Sequence, residues 1–228
     1  MKASSPLMAA RSISDPARPG ALLARLTVTR RLVLALLLAA LVGAIGLVQP
    51  TGLLAPADQL AMKIVTHLRW VPGAEWVTLL AQWLDRLGEG GARLGITFIV
   101  ALFFARASRP GAVIWLIVSS GAVMLLNPLV KMLFMAPRPD VIEQLVTASG
   151  HSFPSGHAAG AMALGGAVAL LSRARPVQLI CAGLIVATGL SRVWLGVHWP
   201  SDVIGGWAEG AAWLLVMSLW LPANEARR

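Results

Sequence analysis

Tyrosine is absent from this 228-residue sequence, cysteine occurs once and histidine four times. The single cysteine, Cys181, cannot close an internal disulfide. With four scattered histidines it leaves no four-ligand zinc site to assemble. Charge is scarce as well: Asp, Glu, Lys and Arg make up 13% of the chain, about half the ~25% usual in soluble domains. A disordered chain, which needs low hydrophobicity and high charge, is excluded. Apolar residues reach 57%, and with the 22 glycines about two-thirds, against roughly 45–50% in soluble proteins. This balance predicts an all-α, polytopic integral membrane protein. Six spans of about 20 residues would fill a little over half of the chain, and the length suits one domain.

Acidic residues are the scarcer sign, 10 against 19 basic, for a net charge of +9. In a soluble protein that excess would suggest nucleic acid. In a membrane protein it marks cytoplasmic flanks, so no nucleic-acid partner is expected. Residues 1–31 read as a basic, mostly disordered cytoplasmic tail, 32–222 as the membrane domain and 223–228 as a second short cytoplasmic tail. Expected spans are 32–48, 92–105, 112–130, 158–171, 177–190 and 203–221. A cleaved signal peptide is the alternative for the first run, with a poor cleavage site at Ala55-Pro56-Ala57. The leader of about 30 residues is longer than a normal n-region, which favours an uncleaved anchor. Residues 50–91 carry a charge every few positions, with Trp70, Trp76 and Trp83 among them. That pattern predicts amphipathic helices in the headgroup zone on the outer side.

Parity then fixes a topology. With the N-terminus inside, segments 106–110 and 172–176 and the C-terminal tail also lie inside. Together they hold 12 of the 19 basic residues. Segments 131–157 and 191–202 fall together outside, on the periplasmic or exterior face of an inner membrane. Three polar strings gather there: Lys131-x6-Arg138-Pro139, Pro154-Ser155-Gly156-His157, and Ser191-Arg192-x5-His198-x3-Asp202. So many ionisable groups at one membrane face call for a polar ligand.

Lys131, Arg138 and Arg192 are three cations suited to a group with several anionic oxygens, namely phosphate. Ser155 is a good N-cap, and the free N–H groups of the turn opened by Gly156 face an anion. His157 lies in that turn, within reach of a proton transfer. Asp202, four residues after His198, can fix its tautomer and leave the other ring nitrogen as nucleophile or base. Two histidines and one basic pocket are consistent with phosphoryl transfer through a phosphohistidine, with no metal and no cofactor required.

Taken singly, each string has an ordinary reading: Lys131 as a span end, Arg138-Pro139 as a turn, Ser155-Gly156 as a cap, His198 as an interfacial histidine and Asp202 as a first-turn acid. His151 reads as non-catalytic and His67 as interfacial. Glu209, seven residues beyond Asp202, falls on the same helix face two turns deeper. It reads as a packing hydrogen bond or as support beneath the pocket. Gly156/Gly160 and Gly206/Gly210 read as pairs for close helix approach.

In order and spacing the three strings resemble the signature motifs of the type 2 phosphatidic acid phosphatase family, whose soluble relatives include vanadium haloperoxidases. The resemblance covers residues 131–202. It implies that His198 attacks phosphorus with help from Asp202. His157 would protonate the leaving oxygen and later activate water. Lys131, Arg138, Ser155, Gly156 and Arg192 would hold the phosphoryl oxygens. The implied partners are the bilayer and a lipid phosphate or diphosphate: undecaprenyl diphosphate, phosphatidylglycerophosphate or phosphatidic acid. A phosphotransferase using the same residues, or a non-catalytic lipid transporter or binding protein, remains open at this level, as does the oligomeric state.

A site built from cations and a helix N-terminus is expected to keep full activity in EDTA and to lose it to orthovanadate, whose five-coordinate geometry mimics in-line transfer. A phosphate-release assay with chelator present checks this, and an absolute need for added Mg²⁺ would contradict it.

Overall fold

The structure, a computed structural model, describes residue 23 and residues 26–221. Most of the expected tail at 1–31, and all of that at 223–228, lie outside the described residues. Eight α-helices follow in order: α1 (Val28–Val48), α2 (Ala55–Arg69), α3 (Ala74–Gly88), α4 (Gly90–Arg106), α5 (Pro110–Phe134), α6 (Gly156–Leu171), α7 (Arg175–Trp194) and α8 (Pro200–Met217). Among the described residues there is no strand.

Local chemistry sets the helix starts. Thr27 caps α1 by accepting from the Arg30 amide at 3.2 Å. A proline stands in the first turn of α2, α5, α7 and α8, where its missing N–H removes no intrahelical bond. Helix α1 begins at Val28 and not at the expected Leu32. Its first turn includes Arg31, whose guanidinium donates to the Ser218 carbonyl at 2.9 Å just beyond α8. With that charge satisfied by backbone, the helix extends back through the arginines.

Four helices are long and apolar enough to cross a membrane: α1 and its continuation to Thr51, α5, α7, and α8 with its continuation to Trp220. Helix α4 passes only together with α3, and the two meet at a bend of 73°. Helix α6 has 16 residues, about 24 Å of rise, short of the ~30 Å hydrocarbon core. Helix α6 packs against α5, α7 and α8, so it is wrapped by protein.

Close approach of α6 and α8 depends on two glycines. A Cβ on Gly206 would stand 2.4 Å from the Ser155 carbonyl oxygen, and one on Gly210 2.6 Å from that of Ala159. The expected Gly206/Gly210 pair therefore does bring two helices together. Gly156 and Gly160 serve differently: they clear space for the side chains of Asn127 and Arg93.

Helices α2 and α3 are amphipathic as expected, with Trp70, Trp76 and Trp83 exposed. They do more than lie flat: α3 packs along α7, and α2 buries Asp58. At the opposite end of the bundle, Arg109 donates to the Leu171 carbonyl at 3.1 Å, beside the Arg31–Ser218 contact.

Candidate functional site

The loop between α7 and α8 carries His198, and the first turn of α8 carries Asp202. Asp202 accepts from the Trp199 amide at 2.8 Å, half of a capping box, which rigidly joins loop to helix. The same carboxylate lies 3.2 Å from His198 Nδ1. It also accepts from the Ser152 hydroxyl, and from Gln49 Nε2 at 2.8 Å. With Nδ1–H donated to Asp202, Nε2 carries the lone pair and accepts from Arg138 Nη1 at 3.3 Å. Burial pushes the His198 pKa down to about 4, although Asp202 opposes the shift. The imidazole is therefore neutral at ordinary pH, the form that can act as nucleophile.

The basic residues converge on this histidine. Lys131, in the last turn of α5, donates to the carbonyls of His151 at 2.7 Å and Ser152 at 2.9 Å. Arg138 donates to the carbonyls of Ser149 and Val197, both at 2.8 Å, and of Gly150 at 3.2 Å. Both cations thus hold the 149–152 loop over the site, and His151 takes part through its backbone. Ser155 caps α6 as expected, accepting from the Ala158 amide at 3.5 Å. Its own amide donates to the Asp202 carbonyl at 2.9 Å, which locks the second string to the third. The first-turn amides of Gly156 and His157 have no intrahelical acceptor and open toward the same space.

Arg192 is 2% exposed. Its Nη1 is engaged by the Asp85 carboxylate, while Nε and Nη2 are buried and without a partner. His157 also meets Asp85: its Nε2 lies 3.3 Å from the carboxylate and 3.1 Å from the backbone carbonyl. All eight residues named from the sequence therefore gather at one end of the bundle.

Four further residues join them that the sequence reading did not place there. Asp85 and Gln49 approach from α3 and the end of α1. Asp58 accepts from both the amide and the hydroxyl of Ser201, at 3.0 and 2.6 Å. Ser152 bridges Asp202 and His198. Their only signal was polarity within apolar surroundings, and spacing cannot convert that into contacts across helices. Glu209 combines both of its expected readings. It accepts from Asn127 Nδ2 at 2.7 Å, and the same amide reaches the Pro154 carbonyl at 3.3 Å, directly beneath the α6 N-terminus. Among the described residues no cluster of three or more His, Cys, Asp or Glu could hold a metal ion.

Comparison with known proteins agrees with this geometry. The model of the PAP2 superfamily matches residues 112–226. A phosphatidylglycerophosphatase B of Bacillus subtilis is 32% identical over 165 residues, covering 68% of this chain and 78% of that protein. An undecaprenyl-diphosphatase of Sulfolobus acidocaldarius is 31% identical over 157 residues, covering 68% of this chain and 64% of that protein. The crystal structure of a transmembrane PAP2 type phosphatidylglycerolphosphate phosphatase from Bacillus subtilis is similar with a TM-score of 0.68. It covers 82% of this chain and 93% of that one at 27% identity.

An imidazole whose pKa falls from 6.5 to about 4 on folding takes up its proton more readily when unfolded. The stability tied to this site is therefore intact above pH 6.5 and is lost as pH falls toward 4. Thermal melts in detergent should show this decline, and His198→Gln should flatten it. Equal slopes in the two proteins would refute a buried neutral His198.

Proposed function

The chain belongs to the PAP2 superfamily, and on that premise we propose that it is a metal-independent lipid phosphatase working through a phosphohistidine. The observation that carries this reading is the buried His198–Asp202 pair. Its free nitrogen faces the space shared by Lys131, Arg138, Arg192 and the α6 N-terminus. A phosphate entering that space would meet the unpartnered Nε and Nη2 of Arg192, two adjacent donors matched to two oxygens.

The transfer follows from these positions. The His198 Nε2 lone pair attacks phosphorus, and the bond to the leaving oxygen breaks with its electrons. His157 gives that oxygen a proton, which leaves a phosphohistidine and a dephosphorylated lipid (or a lipid monophosphate, if a diphosphate entered). A water then loses a proton to His157 and attacks phosphorus. The P–N bond breaks, freeing His198 and inorganic phosphate. Asp202 stabilises the imidazolium character that develops on His198. The arginines, Lys131 and the Ser155–His157 turn stabilise the equatorial oxygens.

The substrate class is a lipid phosphate or diphosphate, such as phosphatidylglycerophosphate, undecaprenyl diphosphate or phosphatidic acid. Two adjoining cavities favour a lipid. One of about 420 Å³ lies beside the site, with Gln49, Asp58, Phe134 and Trp199 among its walls. The other, about 470 Å³ and otherwise apolar apart from Glu209, continues from Phe134 along α1 and α5. A hydrocarbon tail can lie there while its phosphate reaches the basic end.

In our reading α1, α4, α5, α6, α7 and α8 form six spans of an inner-membrane protein, with both termini cytoplasmic and the site facing the periplasm or exterior. Supporting this, Arg31 and Arg109 sit at the end opposite the site, as the bias of basic residues toward the cytoplasm requires.

Purified protein in detergent should release phosphate from these lipids. His198→Ala should lower kcat at least about a thousandfold, while Asp202→Asn leaves measurable turnover. Near wild-type release by a folded His198→Ala protein would refute the phosphohistidine. For sidedness, single cysteines at the exposed positions Thr147 and Ala174, in a Cys181→Ser background, are treated in spheroplasts with an impermeant maleimide. Thr147 should label and Ala174 should not; the reverse pattern would invert the topology.

A further inference from the structure

We propose that Asp85, on the last turns of α3, is a positioning residue that aims both the proton donor His157 and the phosphate-binding Arg192. The inference rests on the lipid-phosphatase reading above. Asp85 lies outside residues 112–226, the stretch matched by the superfamily model.

Its carboxylate contacts both side chains. At Arg192 it takes Nη1 and leaves Nε and Nη2, the two donors of the adjacent edge, buried and without a partner. A guanidinium 2% exposed needs a countercharge to stay ionised there. Asp85 supplies it from the side that does not receive phosphate. The planar fork is thereby held by one nitrogen, with two buried donors left for a ligand. The carboxylate does not occupy that edge, so substrate and Asp85 can be bound together.

At His157 the carboxylate and the Asp85 backbone carbonyl both approach Nε2, at 3.3 and 3.1 Å. Two acceptors on one ring nitrogen require that it carry the hydrogen. With the Nε2 hydrogen held by Asp85, Nδ1 is the nitrogen left to exchange a proton with the leaving oxygen, and this is defined before any lipid arrives. Gly88, less than one turn beyond Asp85, completes the seat: a Cβ there would fall 2.3 Å from His157 Cδ2. A 73° bend after Gly88 separates α3 from α4, and α3 packs along α7, where Asp85 reaches Arg192. This packing delivers a carboxylate to the rim of the site from a segment with no signature residue.

The test uses the full chain in detergent and two substrates that differ in how much they need an acid. Phosphatidic acid must expel an alkoxide, whereas farnesyl diphosphate expels a phosphate that departs without full protonation. Acid catalysis contributes about 10²–10⁴-fold. Asp85→Asn should therefore lower kcat about a hundredfold on phosphatidic acid and less than about tenfold on farnesyl diphosphate. It should also weaken inhibition by orthovanadate about tenfold as the Arg192 fork loses its aim. Asp85→Glu should recover part of each.

Equal losses on both substrates with vanadate inhibition unchanged would reduce Asp85 to a structural contact and overturn the proposal. Tighter vanadate inhibition with kcat preserved would overturn it too, since the carboxylate would then be an anion competing for the site. Should Asp85→Asn fail to fold, Gly88→Ala displaces His157 and leaves Asp85 in place. It should reproduce the substrate-selective loss with vanadate inhibition unchanged, and equal loss on both substrates would again overturn the proposal. A wild-type protein inert on both lipids would sink the lipid-phosphatase reading, whereas active wild type with an indifferent Asp85→Asn would sink this inference alone.

Discussion

Ionised groups inside an apolar bundle must be partnered, and the arrangement of this protein follows from meeting that requirement at one end. Arg192 and Asp202 are buried to 2% and 0% exposure, where an uncompensated charge costs about 3–5 kcal/mol when its partner is removed. Asp202 is met by donors from Gln49, Ser152, Trp199 and His198. Arg192 is met by Asp85. The partners come from four parts of the chain, so satisfying two charges draws the end of α1, α3, the 149–152 loop and the start of α8 into one place.

The partnering is incomplete at Arg192. Lys131 and Arg138 spend their donors on backbone carbonyls, which stiffens the loop that covers the site. Arg192 retains two buried donors without a partner. Unsatisfied donors deep in a structure are rare and costly. In the proposed reading a phosphate is the species that completes the arrangement.

Helix packing sets the depth of the site. Gly206 and Gly210 let α8 press against the backbone of α6, which aligns the Ser155 turn with Asp202 through a 2.9 Å backbone bond. An apolar cavity runs along α1 and α5 from Phe134, where the proposed reading puts the lipid tail. Beneath the turn, Glu209 and Asn127 hold the Pro154 carbonyl, so the floor of the site is also anchored to α5 and α8.

Much of this was legible in the sequence, for reasons that are local. Apolar run lengths placed the helices to within a few residues. Three short strings named the eight site residues, because the i, i+4 spacing of His198 and Asp202 and the cap at Ser155 are properties of a single helix end. Tertiary structure decided what lies between elements. Asp85 read as one more charge on an interfacial helix until the packing of α3 carried it to Arg192 and His157. Gln49, Asp58 and Ser152 were equally silent, since hydrogen bonds between residues 50 to 150 positions apart leave no periodicity. Gly160 looked like a helix contact and proved to be room for the Arg93 guanidinium. Local spacing encodes which groups can do chemistry; only packing determines which charge faces which.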